Sequence, residues 1–230
     1  VFANTLTFAE TIPSFDAEGN PLVIRISYEV DEGGQAFWVV GFDGDVQITE
    51  KLLVGVGMVF DQEPNKQRNL FSAHLGAKLT DQSQLVLEAA QTNSALQDKA
   101  GHAVRAEYRY DDKTWKSRIF AQYATHSFDN PNAGVTADKL DMGAQLSGAI
   151  SPTTQLSVEA SHSQDKKTDA QQQQLFVTVD QKIGESVNVR AGVRYQQDKD
   201  PTTSSALNDK NTTSLLAKFT YQPKWLPQAN

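Results

Sequence analysis

The side chains able to do acid–base or metal chemistry in this chain are few. There are four histidines, His74, His102, His126 and His162, and no cysteines. None of the histidines forms HExxH or another close pair at ligand spacing, which argues against a zinc site. No GxSxG elbow and no phosphate-cradling glycine loop is present. Gly55-Val56-Gly57 lacks a third glycine and falls in an alternating run, where it is expected to relieve crowding instead. Ser161, His162 and Ser163 have the residue types of a hydrolase pair. Neighbours in a strand face opposite ways, so His162 cannot readily activate either serine. The acidic residues Asp111, Asp112, Asp129, Asp165 and Asp169 fall where tips are expected and read as solvated loop charges. Asp129-Asn130-Pro131-Asn132-Ala133-Gly134 has calcium-loop composition but lacks the closing bidentate glutamate. Asn211-Thr212-Thr213 matches a glycosylation sequon and carries little weight. The expectation is a protein that is not an enzyme, with no cofactor and no metal.

A different pattern organises the other charges. Arg105, Glu107 and Arg109 are spaced two apart, as are Lys116 and Arg118, and Arg190 and Arg194 are four apart. Between them stand Ala106, Tyr108, Ser117 and the run Ala191-Gly192-Val193, so a strand would put every charge on one face. The same alternation runs through Asn69–Leu79, Lys139–Ile150 and Val187–Gln196. It supports about twelve strands, near 21–30, 36–48, 52–61, 69–80, 84–92, 102–111, 114–125, 138–150, 155–164, 173–183, 187–197 and 212–222. Most are longer than the roughly 5–6 residues usual in soluble sheets and match the roughly 9–11 a tilted strand needs to cross a bilayer. The expected fold is therefore all-β: a membrane-spanning antiparallel up-and-down barrel.

The connections point the same way. Tight turns are expected at Thr49–Lys51, Asp81–Ser83, Asp111–Lys113, Ser151–Thr154 and Gly184–Ser186. Longer polar links fall at Gln62–Arg68, Asn93–Gly101, His126–Ala137, Asp165–Gln172 and Asp198–Asn211, with Asp31–Gln35 intermediate. Short and long alternate, as when one barrel rim carries turns and the other loops.

With the apolar register outward, an aromatic girdle falls at strand ends: Tyr28, Trp38, Tyr108, Tyr110, Trp115, Tyr123, Tyr195 and Tyr221. That depth suits a ring with an apolar body and a polar tip. The inward register carries Arg105, Glu107, Arg109, Lys116, Arg118, Asp141, Arg190 and Arg194, the expected lining of a solute path. Such charges would be costly in a dry core but not in a water-filled lumen. The rival reading is a soluble sandwich whose charged faces meet solvent.

The net charge of −7 argues against a nucleic-acid partner. No run approaches the roughly 20 apolar residues of a membrane-spanning helix, but barrel strands carry a weaker hydropathy signal. Mean hydropathy is −0.48. The start, Val1-Phe2-Ala3-Asn4-Thr5, lacks signal-peptide features, so the chain is expected to open at a mature terminus or as a fragment.

Over about residues 21–222 the sequence resembles the Gram-negative outer-membrane β-barrel class, in pattern and not through a signature motif. A looser likeness is to the barrel portions of large bacterial surface proteins. It rests on two similar hairpins, Leu79-Thr80-Asp81-Gln82-Ser83-Gln84-Leu85 and Ile150-Ser151-Pro152-Thr153-Thr154-Gln155-Leu156. A departure is the tail: Phe219 and Tyr221 are followed by Gln222–Asn230, where many such barrels end on an aromatic. The resemblance implies residence in the bacterial outer membrane and a porin-like passive channel for small polar solutes, with anions favoured by the arginines. The alternative is a non-conducting envelope scaffold or surface anchor whose external loops bind partners. Expected partners are outer-membrane lipid and lipopolysaccharide, with a homo-oligomer or other envelope proteins as further candidates. Residues 1–20 are expected to be a lead-in or lumen arm, 21–222 the barrel, and 223–230 a periplasmic tail.

Overall fold

The structure is a computed structural model, and it describes residues 36–130, 135–201 and 209–222. The strand expected at residues 21–30, Tyr28 and both terminal segments lie outside the described residues. The remaining eleven expected strands are all found. They are β1 (Val39–Thr49), β2 (Leu52–Asp61), β3 (Arg68–Lys78), β4 (Ser83–Ser94), β5 (Gly101–Asp111), β6 (Trp115–Ala124), β7 (Lys139–Ser151), β8 (Thr154–Asp165), β9 (Gln171–Ile183), β10 (Val187–Lys199) and β11 (Asp209–Tyr221). They form one antiparallel sheet in which every strand pairs with its neighbours in sequence. Among the described residues β1 and β11 are not paired with each other, so the sheet is open.

Register explains how the alternating pattern is used. One row of directly opposed residues runs Asp45, Gly55, His74, Glu88, Arg105, Gln122, Asp141, Ser163, Gln172, Asp198, Lys210. The adjacent row, on the other face, opens Val46, Val54, Leu75, Leu87, Ala106, Ala121, Met142. Charged and apolar registers thus stay apart across the whole sheet, because a one-residue slip in any pairing would swap the faces.

Burial separates the same two faces. Thr92, Ser94, Glu107, Arg118, Gln122 and Thr178 are buried and all belong to the charged register. Val104, Ile119, Leu146 and Leu175 of the apolar register are exposed. This is inside-out relative to a water-soluble sheet, where the apolar face is the covered one.

The rows also climb. The row through Glu107 in mid-β5 meets β1 at Gln47, near its turn end, and β11 at Thr212, near its loop end. Strands that lean steadily in this way are those of a tilted barrel wall.

Two turns are built alike. Thr80 and Ser83 share a hydroxyl hydrogen bond of 2.8 Å, and the Ser151 hydroxyl donates to Thr154 at 2.8 Å. These are the two hairpins whose sequences match. Link lengths differ from expectation most among β8–β11: β8 and β9 are joined by residues 166–170 only and β10 and β11 by residues 200–208 only, because these strands run on beyond their apolar residues. Side-chain periodicity ends there, while backbone pairing continues.

Candidate functional site: the charged face and the loop folded over it

The densest charge cluster lies on β5 and β6. Arg105, Glu107 and Arg109 alternate along β5, and Arg118 on β6 is directly opposite Arg109. All three guanidiniums converge on one carboxylate. Arg105 Nη2 donates to Glu107 Oε2 at 2.5 Å and Arg118 Nη2 to the same oxygen at 2.8 Å, while Arg109 Nε donates to Oε1. Glu107 is 2% exposed. Its neighbours neutralise it and leave a surplus of positive charge, tempered by Glu88 opposite Arg105. Arg118 also lies 4.8 Å from the centre of the Phe120 ring, which lends it an apolar support.

The other expected lining residues share this face without joining the cluster. Lys116 pairs with Asp111 at 3.5 Å, one step nearer the turn. Asp141 sits between Lys139, at 3.7 Å, and Gln122, whose amide reaches it at 3.4 Å. Arg190 and Arg194 are four strands away on β10. Arg190 donates to Asp180 at 2.7 Å, and Arg194 lies 4.7 Å from the Phe176 ring centre. On this face Arg105, Arg109 and Arg118 meet at Glu107, and Arg190 and Arg194 keep partners of their own.

A second feature was not anticipated. The described part of the β6–β7 link folds back over the charged face of β3–β6. Phe128 is 6% exposed and packs on Ala103 and Ala124, with Leu70, Ala90 and Val135 around it. Asp129 holds the link in place: Oδ2 accepts from the Ser94 hydroxyl at 2.9 Å, and Oδ1 accepts from Arg68 Nη1 at 3.4 Å. Its own N–H donates to Thr92 Oγ1 at 3.0 Å. Gly101 is required beneath, since a Cβ there would collide with the Phe128 backbone. The root of the link is tied by His126 Nδ1 and Asp138 Oδ2, 2.5 Å apart. The reading of Asp129 as a solvated loop charge is thus corrected. Its buried partners were hidden because Arg68 is 61 residues away in sequence.

Other acids at tips are turn staples. The N–H groups of Thr114 and Trp115 each donate to Asp112 Oδ1 at 2.6 Å, and the Tyr110 hydroxyl donates to Oδ2 at 2.7 Å. These hydrogen bonds, led by that from Tyr110, hold the Asp112 carboxyl below the usual carboxylate range. Asp165 Oδ1 likewise accepts from the N–H groups of Lys167 and Thr168. The signal was present in both places, as an aspartate followed within three residues by threonine. Gly55 has the role expected of it. It leaves room for Asp45 Oδ1 to reach His74 Nε2, 3.0 Å away on the next strand but one. No group of three or more metal-ligating side chains occurs among the described residues.

On the apolar face Tyr108, Tyr110, Trp115, Tyr123, Tyr195 and Tyr221 all keep to the apolar register, and Trp38 stands just ahead of β1. Each lies at or near a strand end, Tyr195 being followed by four more residues of β10.

No protein-family model matches the chain, and no curated protein matches its sequence. Solved structures do match its fold. The outer-membrane channel DcaP of Acinetobacter baumannii superposes with a TM-score of 0.50 at 11% identity, over 79% of this chain. The chain spans 62% of that channel's length. A bacterial polysaccharide outer-membrane secretin gives a TM-score of 0.42 at 10% identity, over 81% of this chain and 70% of its own. What the chain has in common with the first of these is architecture: an all-antiparallel, up-and-down β-wall of the outer-membrane barrel type.

Proposed function

We propose that this chain forms the wall of an outer-membrane channel that passes small polar solutes and favours anions. The carrying observation is the convergence of Arg105, Arg109 and Arg118 on Glu107, on the face opposite the exposed apolar register. A buried carboxylate keeps the guanidiniums from flexing apart and fixes their positive surplus in one place, where an anion entering a narrow aqueous path would meet it. The proposal includes the strand expected at residues 21–30 as a further wall element. β1 and β11 both run from loop rim to turn rim, so an all-antiparallel barrel needs an added strand of opposite direction. Residues 1–20 as an arm and 223–230 as a periplasmic tail belong to the same proposal.

Planar-bilayer recordings in a salt gradient test it. Anion-preferring reversal potentials are expected, with the preference reduced in Arg118→Gln. Cation preference in the unaltered protein would contradict it.

One observation favours a second reading. The β6–β7 link covers part of the charged face, and Glu107 is sealed by its partners. A scaffold with a blocked lumen would show both. Liposome swelling separates the readings, since a scaffold leaves small sugars outside.

A further inference from the structure

On β8–β11 the wall does not stop where its apolar register stops. The last outward apolar residues are Ala160, Leu175, Tyr195 and Leu215. Toward the loop rim, four consecutive opposed rows follow. They are Ser161–Gln174–Gln196–Thr212, His162–Gln173–Gln197–Asn211, Ser163–Gln172–Asp198–Lys210 and Gln164–Gln171–Lys199–Asp209. None of these positions holds an apolar residue on either face. On β2, β6 and β7 the apolar register instead reaches the rim, with Phe60, Tyr123 and Leu140 within a residue of the strand end. Four residues at roughly 3.4 Å each, on a strand tilted by about 40°, lift this panel about 10 Å above the apolar band.

The panel's charges cancel. Lys199 is directly opposite Asp209, and Asp198 is directly opposite Lys210. A surface meant for phosphate would keep a cationic surplus. What remains are amides and hydroxyls. On the inward side Gln172 and Gln196 are committed to Asp198, at 2.9 Å each. On the outward side Gln173, Gln197 and Asn211 hold no side-chain hydrogen bond among the described residues. Each therefore offers both an amide donor and an acceptor.

We propose that this outward panel, centred on Gln173, Gln197 and Asn211 with His162 and Tyr195 at its border, binds the sugars of outer-leaflet lipopolysaccharide. The inference rests on the outer-membrane reading. The panel continues the lipid-facing surface directly upward, into the layer where acyl chains give way to headgroup sugars. A neutral, donor-and-acceptor surface matches sugar hydroxyls, and a tyrosine at its lower edge can stack on a ring.

The test is thermal unfolding of the detergent-solubilised protein with lipopolysaccharide bearing full sugar chains, with lipid A, and with neither. Lipid A stabilises the protein, and the sugar-bearing lipid raises the midpoint by about 3 °C more. In the triple variant Gln173→Ala, Gln197→Ala, Asn211→Ala the extra shift disappears while the lipid A shift remains. Equal shifts from the two lipids, or an extra shift that survives in the variant, overturn the panel and leave the membrane reading intact. A protein indifferent to both lipids and stable without detergent overturns both.

Discussion

The loop rim of this sheet is built in two ways. Over β3–β6 a connecting segment turns inward, buries Phe128 and is held through Asp129 by Arg68, Ser94 and Thr92. Over β8–β11 no such cover is seen among the described residues. The strands themselves continue, paired to residue 199 on β10 and from residue 209 on β11. The first arc contains the buried apolar cluster of the described residues, and the loop-rim rows of the second are polar on both faces. An alternating strand can end its apolar register and still go on pairing, because the ladder is made by the backbone and the register by side chains. The two arcs therefore differ in which face carries their rim: the first covers the charged face, and the second extends both faces as polar surface.

The sharpest way to break this contrast is a charge on each outward face. Ile119→Lys, in the apolar register, is expected to cost roughly 2–4 kcal/mol in urea unfolding from lipid vesicles. Gln173→Lys, in the polar panel, is expected to stay within about 0.5 kcal/mol. Equal costs at the two positions would erase the distinction. Next in size is Gly101→Val, which forces a side chain into the Phe128 backbone. A loss of about 1–3 kcal/mol is expected, with new protease sensitivity in the β6–β7 link. Asp129→Ala leaves Arg68 with Asp61 and Glu63, so the cost is smaller, about 1 kcal/mol. Its main effect is a released link, read as a larger single-channel conductance.

The smallest effect concerns Asp112. Its folded carboxyl is held below the ordinary value near 3.9, so the stability it contributes is present above that value. That contribution is lost as pH falls through the lower, folded value. Asp112→Asn should therefore be less stable than the parent at pH 7, with the gap narrowing toward pH 3 in parallel unfolding curves.

Much of this wall was legible in the alternation alone. The sorting of Arg105, Glu107, Arg109 and Arg118 onto one face, and of Val104, Ile119 and Tyr123 onto the other, follows from the two-residue period and needs only the correct register. The turn acids Asp112 and Asp165 were visible as motifs but were read as solvent-facing charges, because composition does not reveal which backbone N–H groups lie within reach. The polar ends of β8–β11 were cut short since hydrophobic periodicity is silent where both faces are wet. The Asp129–Arg68 contact was not legible at all. It joins distant parts of the chain, and nothing local in either segment specifies the other. The separation of Arg190 and Arg194 from the β5–β6 cluster depends on strand order, which fixes how far apart residues of the same register come to lie.

Because the chain contains no cysteine, single cysteines report on either face without background. Val104, Ile119 and Leu175 mark the apolar register, and Arg105, Gln122 and Gln174 the charged one. In sealed vesicles, a water-soluble maleimide should label cysteines at the second set. Fluorophores at the first set should be quenched by lipids brominated on their acyl chains. If the maleimide reached the Val104, Ile119 and Leu175 positions while acyl-chain quenching appeared at Arg105, Gln122 and Gln174, the two faces would be assigned the wrong way round, and the proposed channel would have no aqueous wall.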